Sequence, residues 1–109
     1  VPRQDNIREI FELEVTQQQQ LLRETSWVSE RLSRHFNATK INIGALGNMV
    51  PQLHLHIIAR YENDAAWPGP VWGKHPAEPY TGENLLRMNE RLHEAFADAS
   101  EAGFAWADH

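Results

Sequence analysis

The stretch Asn42-Ile43-Gly44-Ala45-Leu46-Gly47-Asn48-Met49-Val50-Pro51-Gln52-Leu53-His54-Leu55-His56-Ile57-Ile58 decides how the rest of the chain is read. Lys40 to Gly44 carries the Ile41/Ile43 alternation of a short strand. From Gly44 to Pro51, two glycines, an asparagine and a proline mark a tight loop that needs unusual backbone angles or close approach to a bound group. Gln52 to Arg60 then alternates Leu53, Leu55 and Ile57 with Gln52, His54 and His56. This is the period-two pattern of a strand with one face in a core and the other presenting polar groups. The two strands are near enough in sequence to pair antiparallel across the loop.

Upstream, Asn6-Ile7-Arg8-Glu9 has the residues of a capping box, which predicts a short helix over Ile7 to Leu13 with Ile7, Ile10 and Phe11 on one face. Thr16-Gln17-Gln18-Gln19 repeats the box. From there to about Phe36, Leu21, Val28, Leu32 and Phe36 recur near the helical period and predict a long helix. Asn37-Ala38-Thr39 breaks the pattern. Downstream, Pro68, Pro70, Pro76 and Pro79 fall within residues 68–79 and forbid a regular helix there, which favours an extended, wrapping segment. Thr81-Gly82-Glu83-Asn84 then opens a helix to about Ala99, with Leu85, Met88, Leu92 and Phe96 at helical spacing, followed by a fraying tail. The expected fold class is α+β: an antiparallel sheet, a long helix packed on one face and a C-terminal helix.

With 109 residues, the chain has room for one small domain. Four Trp, four Phe and two Tyr among 41% hydrophobic residues are compatible with a packed core. Fifteen acidic against ten basic side chains give a net charge of −5, so nothing global attracts a nucleic-acid polymer or an anionic membrane. A phosphate-bearing ligand would have to be held by local chemistry. No segment approaches the roughly 18 to 20 apolar residues of a membrane span, and no secretory signal opens the chain; a soluble, cytoplasmic protein is the expectation. The absence of cysteine excludes disulfides, thiolate metal sites and a Cys nucleophile, without identifying the compartment.

Of the six histidines, His35, His75, His93 and His109 fall on helix ends, the proline-rich segment or the terminus, where a solvated surface position is expected. His54 and His56 differ, because strand residues two apart point to the same face. Three readings are open for them. A partly exposed polar strand face is the plainest. A His-x-His strand could also give two nitrogen ligands to a metal such as Zn²⁺, but a third ligand must converge, and neither Glu62 nor Asp64 has a spacing that demands it. In the third reading, one imidazole is a nucleophile toward phosphorus and the other a phosphate-holding or proton-donating partner. That reading also accounts for the loop, because Gly47-Asn48-Met49-Val50 could turn backbone N–H groups toward phosphate oxygens.

The same residues resemble the signature of the histidine triad (HIT) superfamily, His-φ-His-φ-His-φ-φ with φ apolar, preceded by an Asn and a glycine loop. The likeness covers roughly residues 1–73 and includes the Val1-Pro2-Arg3 opening, which resembles the end of the strand before the long helix. What the resemblance implies is nucleotide chemistry: hydrolysis or transfer at the α-phosphate through a nucleotidyl-histidine intermediate, with no metal or other cofactor. By position, His54 matches the nucleophile and His56 the last His of the triad, which contacts phosphate near the scissile bond. Gly47, Asn48, Met49 and Val50 match the loop that holds phosphate oxygens, and Asn42 a polar residue near the nucleotide site. Gln52 stands where the first His of the triad is usual. The family uses the backbone carbonyl there to orient the nucleophile, which any residue supplies, but an amide cannot titrate near neutral pH. The partners implied are a nucleotide or dinucleoside polyphosphate substrate and a second copy of the chain, as a homodimer. The alternatives are a non-catalytic nucleotide-binding module and a metal-binding protein using the His-x-His strand.

Trp27, on the long helix, is expected to pack, and so are Trp67 and Trp72 in the proline-rich segment, against the sheet, a pocket or a dimer seam. The resemblance divides the chain into a HIT-like part, 1–80, and a C-terminal helix and tail, 81–109. It also suggests that further strands precede Val1, so that these residues would be the motif-bearing part of a longer protein.

Overall fold

The register of one strand pair follows directly from the isoleucine alternation. In the structure, a computed structural model that describes residues 1–104, β1 (Lys40–Gly44) and β2 (His56–Arg60) run antiparallel. Ile43 lies opposite Ile57, Ile41 opposite Ala59 and Gly44 opposite His56. A single 3-10 turn (Ile10–Glu12) and helix α1 (Val15–His35) precede the sheet, and α2 (Gly82–Ala95) follows it. This is the expected α+β architecture.

Helix α1 packs against the sheet, and Leu21, Thr25 and Val28 line a cavity together with Leu55 and Ile57. Leu13, Leu21 and Leu53 are the buried core, with Ile7 and Leu55 packed against them. Each such leucine contributes about 1.5–3 kcal/mol by leaving water. The Thr25 hydroxyl inside this layer is satisfied by donating to the Leu21 carbonyl at 2.7 Å. Trp27 packs as expected, its ring 5.6 Å from that of Phe96 and 5.1 Å, edge-on, from that of Phe104. Arg31 covers the indole at 4.9 Å and pairs with Asp98 at 2.8 Å, which holds the C-terminal segment to α1.

Several boundaries differ from the sequence reading, each for a local reason. Asn6 does not cap a helix, because it takes a left-handed φ of 62° and its N–H goes to Gln52; Glu9 and Glu12 form the capping box instead, on the 3-10 turn. Helix α1 likewise starts earlier than Thr16, with Glu14 and Gln17 as its box. Gln52 to Leu55 lie outside β2: the Leu53 N–H bonds the Ile7 carbonyl at 2.7 Å, so that segment finds its partner in the N-terminal stretch and not in β1. Val1-Pro2-Arg3 form no strand. Helix α2 ends at Ala95, and tight turns continue to Gly103. The proline-rich segment has no regular helix, as expected, but it begins as a series of turns around Asp64 and not as an extended wrap. His35, His75 and His93 are exposed; His109 and the end of the expected tail lie outside the described residues.

Candidate active site

His54 and His56 come together as the period-two argument requires, their ring centroids 5.1 Å apart and nearly perpendicular. The Nδ1 of His54 lies 2.6 Å from the Gln52 carbonyl oxygen. A carbonyl can only accept, so this contact places the ring proton on Nδ1 and leaves Nε2 of the neutral ring with a free lone pair. His54 is half-buried on a pocket of about 150 Å³, lined also by Gly47, Asn48, Pro51 and Arg8. Gly47 has a φ of +67°, the left-handed conformation that glycine adopts without strain. Within the described residues, no backbone N–H of residues 46–50 donates a hydrogen bond to protein. The loop can therefore turn donors to an anion.

The other predicted residues are placed unevenly. Gln52 supplies the carbonyl, and its side chain reaches Gln4 and Asn6. Met49, 96% exposed, and Val50, 61% exposed, do not line the pocket with His54. Asn42 is drawn elsewhere: its Oδ1 accepts from Arg60 Nη1 at 2.6 Å.

Arg60 belongs to a cluster that the sequence reading missed. It shares the strand face of His54 and His56, yet it is only 2% exposed. Its Nε and Nη2 donate to both oxygens of Asp64 at 2.8 and 3.1 Å, Nη2 also donates to the Gly69 carbonyl at 2.7 Å, and Trp67 lies over the guanidinium at 5.6 Å. Asp64 further accepts from the N–H groups of Tyr61, Ala66 and Trp67. Hydrogen bonds from Arg60, then from the Tyr61 main chain, hold the Asp64 carboxyl well below the usual carboxylate range despite desolvation. The same bond to Asp64 raises Arg60 above its ordinary value. The cluster folds the 64–72 segment back over the sheet, where Trp72 stands edge-on to His56 at 5.7 Å and against Gly44. One sequence feature could have exposed it: an arginine in step with the site histidines, followed four residues later by an acid, needs a buried partner. Among the described residues, no group of three metal-ligating side chains converges, and Asp64 is engaged by Arg60.

The fold is that of a small α+β domain of the histidine triad class. The chain belongs to the HIT domain family, whose model matches residues 1–63. Solved structures agree. A histidine triad protein from Marinobacter aquaeolei is 53% identical, with a TM-score of 0.85 over 90% of this chain and 72% of that one. HIT proteins from Sinorhizobium meliloti and Bradyrhizobium japonicum are 48% and 44% identical, each with a TM-score of 0.82. Both alignments span 87% of this chain, with 70% and 71% of the respective relatives. No curated protein matches the chain. The family includes nucleotide-binding hydrolases and transferases. No helix among the described residues is long and apolar enough to cross a membrane.

Proposed function

We propose that the protein is a nucleotide hydrolase or nucleotidyl transferase acting at the α-phosphate. The observation that carries this reading is the 2.6 Å contact between His54 Nδ1 and the Gln52 carbonyl, which leaves Nε2 as an oriented nucleophile beside a loop of unpaired N–H donors. In the first step the Nε2 lone pair forms a bond to the α-phosphorus. The bond from phosphorus to the leaving group breaks, and its electron pair departs with that group, which takes a proton from His56. In the second step water adds to phosphorus, the P–N bond breaks and its electron pair returns to Nε2. The proton lost by the water restores His56. The N–H groups of Gly47 and Asn48, which line the pocket with His54, stabilise the phosphate oxygens. No metal is needed to generate the nucleophile.

The homodimer implied by the family is part of the same proposal. It is supported by a groove of about 450 Å³ on the α1 face, lined by Ile10, Val15, Leu22 and Ile43, whose side chains are exposed. Sedimentation equilibrium tests it.

Rapid quenching during turnover of a dinucleoside polyphosphate, followed by peptide mass spectrometry at neutral pH, tests the mechanism. The expected result is a nucleotide on the peptide that bears His54. Turnover without any adduct, retained in His54→Ala, would overturn it. Binding without product over hours would assign the chain to the non-catalytic alternative.

A further inference from the structure

Gln52, the residue that departs from the triad, has a second set of contacts. Its Nε2 donates to the Gln4 carbonyl at 2.9 Å, and its Oε1 accepts from the Asn6 N–H at 3.1 Å. One residue on, the Leu53 N–H donates to the Ile7 carbonyl at 2.7 Å. These bonds lace residues 4–7 to the segment that carries His54. A carboxamide presents its donor and acceptor side by side on one carbon, whereas the two nitrogens of an imidazole diverge. The clamp therefore suits the glutamine and not the histidine usual at this position.

The residue immediately after the laced segment is Arg8. Its own N–H is held by a Glu12 carboxylate oxygen at 3.2 Å, so the main chain is tied on both sides of it. Arg8 lines the pocket shared by Gly47, Asn48 and His54. Among the described residues the Arg8 guanidinium makes no hydrogen bond or ion pair. The other charged lining residue, Glu9, is engaged in the capping box with Glu12. In a chain of net charge −5, Arg8 is the lone lysine or arginine lining this pocket. A guanidinium stays charged at any working pH, and its planar fork matches phosphate oxygens.

We infer that Arg8 is a specificity-determining residue that binds a phosphate beyond the α-phosphorus, and that Gln52 is the positioning residue that sets it there. The inference rests on the nucleotidyl-transfer reading for the place of the α-phosphorus, and it narrows the substrate class. Nucleotides whose leaving group is itself a phosphate chain are preferred over those whose leaving group is a neutral amine. Loss of a titratable ring at position 52 is thereby coupled to gain of a leaving-group contact. An anionic leaving phosphate held by a cation needs less help from a proton donor than an amine does.

The test compares wild type, Arg8→Gln and Gln52→Ala on diadenosine tetraphosphate and on adenosine 5′-phosphoramidate, with calorimetric titration of inorganic tripolyphosphate and inorganic phosphate. Arg8→Gln is expected to lower kcat/KM on the tetraphosphate by about tenfold or more relative to its effect on the phosphoramidate. Gln52→Ala is expected to move the ratio of the two in the same direction. Equal losses on both substrates, or none, would overturn the inference while leaving the nucleotidyl-transfer reading intact. If the wild type cleaves neither substrate, that reading fails, and the titration decides the rest. Tripolyphosphate binding weakened by Arg8→Gln, with phosphate binding unchanged, upholds the Arg8 contact; absent or unaltered tripolyphosphate binding overturns it.

Discussion

The indole of Trp72 meets the His56 ring nearly edge-on, with centroids 5.7 Å apart and planes inclined by 76°. Gly44, opposite His56 in the ladder, makes room for it: a Cβ there would lie 2.8 Å from Trp72 Cη2 and 3.1 Å from Cζ2. A rigid ring cannot absorb that overlap by a side-chain rotation at its tip. Gly44→Ala is therefore expected to push the indole off His56, at a cost of about 1–3 kcal/mol in stability. Turnover should fall between about tenfold and a hundredfold because the histidine loses its wall. Steady-state kinetics with tryptophan fluorescence would show both; unchanged kinetics would remove Trp72 from the site.

His54 and Gln52 should separate cleanly on substitution. His54→Ala removes the nucleophile, so turnover should be abolished while nucleotide binding, measured by calorimetry, stays within about threefold of wild type. Gln52→Ala keeps the carbonyl that orients His54 and loses two hydrogen bonds to the N-terminal segment. Turnover should persist, with stability lowered by about 1–2 kcal/mol. Loss of all turnover in Gln52→Ala would show that the side chain, and not the carbonyl, is what the chemistry requires.

The Asp64 carboxyl gives the fold an acid limit. Its folded value lies below the unfolded one near 3.9, so its contribution is complete above about pH 4 and is lost as the pH falls further. Urea midpoints of the wild type should fall steeply below that pH. Asp64→Asn should be less stable at neutral pH by several degrees in Tm, and its acid limb should be flatter. Parallel limbs for the two proteins would place the acid sensitivity elsewhere.

Trp27 joins α1 to the C-terminal segment through Phe96, Phe104 and Arg31. Trp27→Ala should cost about 2–4 kcal/mol. Hydrogen exchange should show α2 losing protection before the sheet does; uniform loss would mean that the helices and sheet open as one unit.

How much of this was legible beforehand depended on the range of the interactions. The Ile41/Ile43 alternation and its continuation at Ile57 yield the strand pair and its faces, because period-two burial is local, whereas Leu53 and Leu55 share the pattern but lie outside β2. The histidine pairing follows from the same rule. The left-handed Gly47 could be anticipated from loop chemistry alone. The partner of Asn42 was not legible, because Arg60, which donates to its Oδ1, lies eighteen residues on. The role of Gln52 was half visible: its carbonyl could be expected, but its clamp on Gln4 and Asn6 joins positions more than forty residues apart. Cap positions moved for a similar reason, as Asn6 was diverted to that long-range contact.

The burial of Arg60 has a further consequence for how ionic strength acts on the molecule. Mobile ions do not reach a guanidinium that is 2% exposed and ringed by Asp64, Asn42 and the Gly69 carbonyl, so added salt leaves the wall around His56 standing. Arg8 is exposed, and its attraction for a phosphate chain fades once the screening length shrinks to about 3 Å in molar salt. A salt titration thus acts as a scalpel between two cations of one domain, sparing the scaffold while dimming capture of the anion.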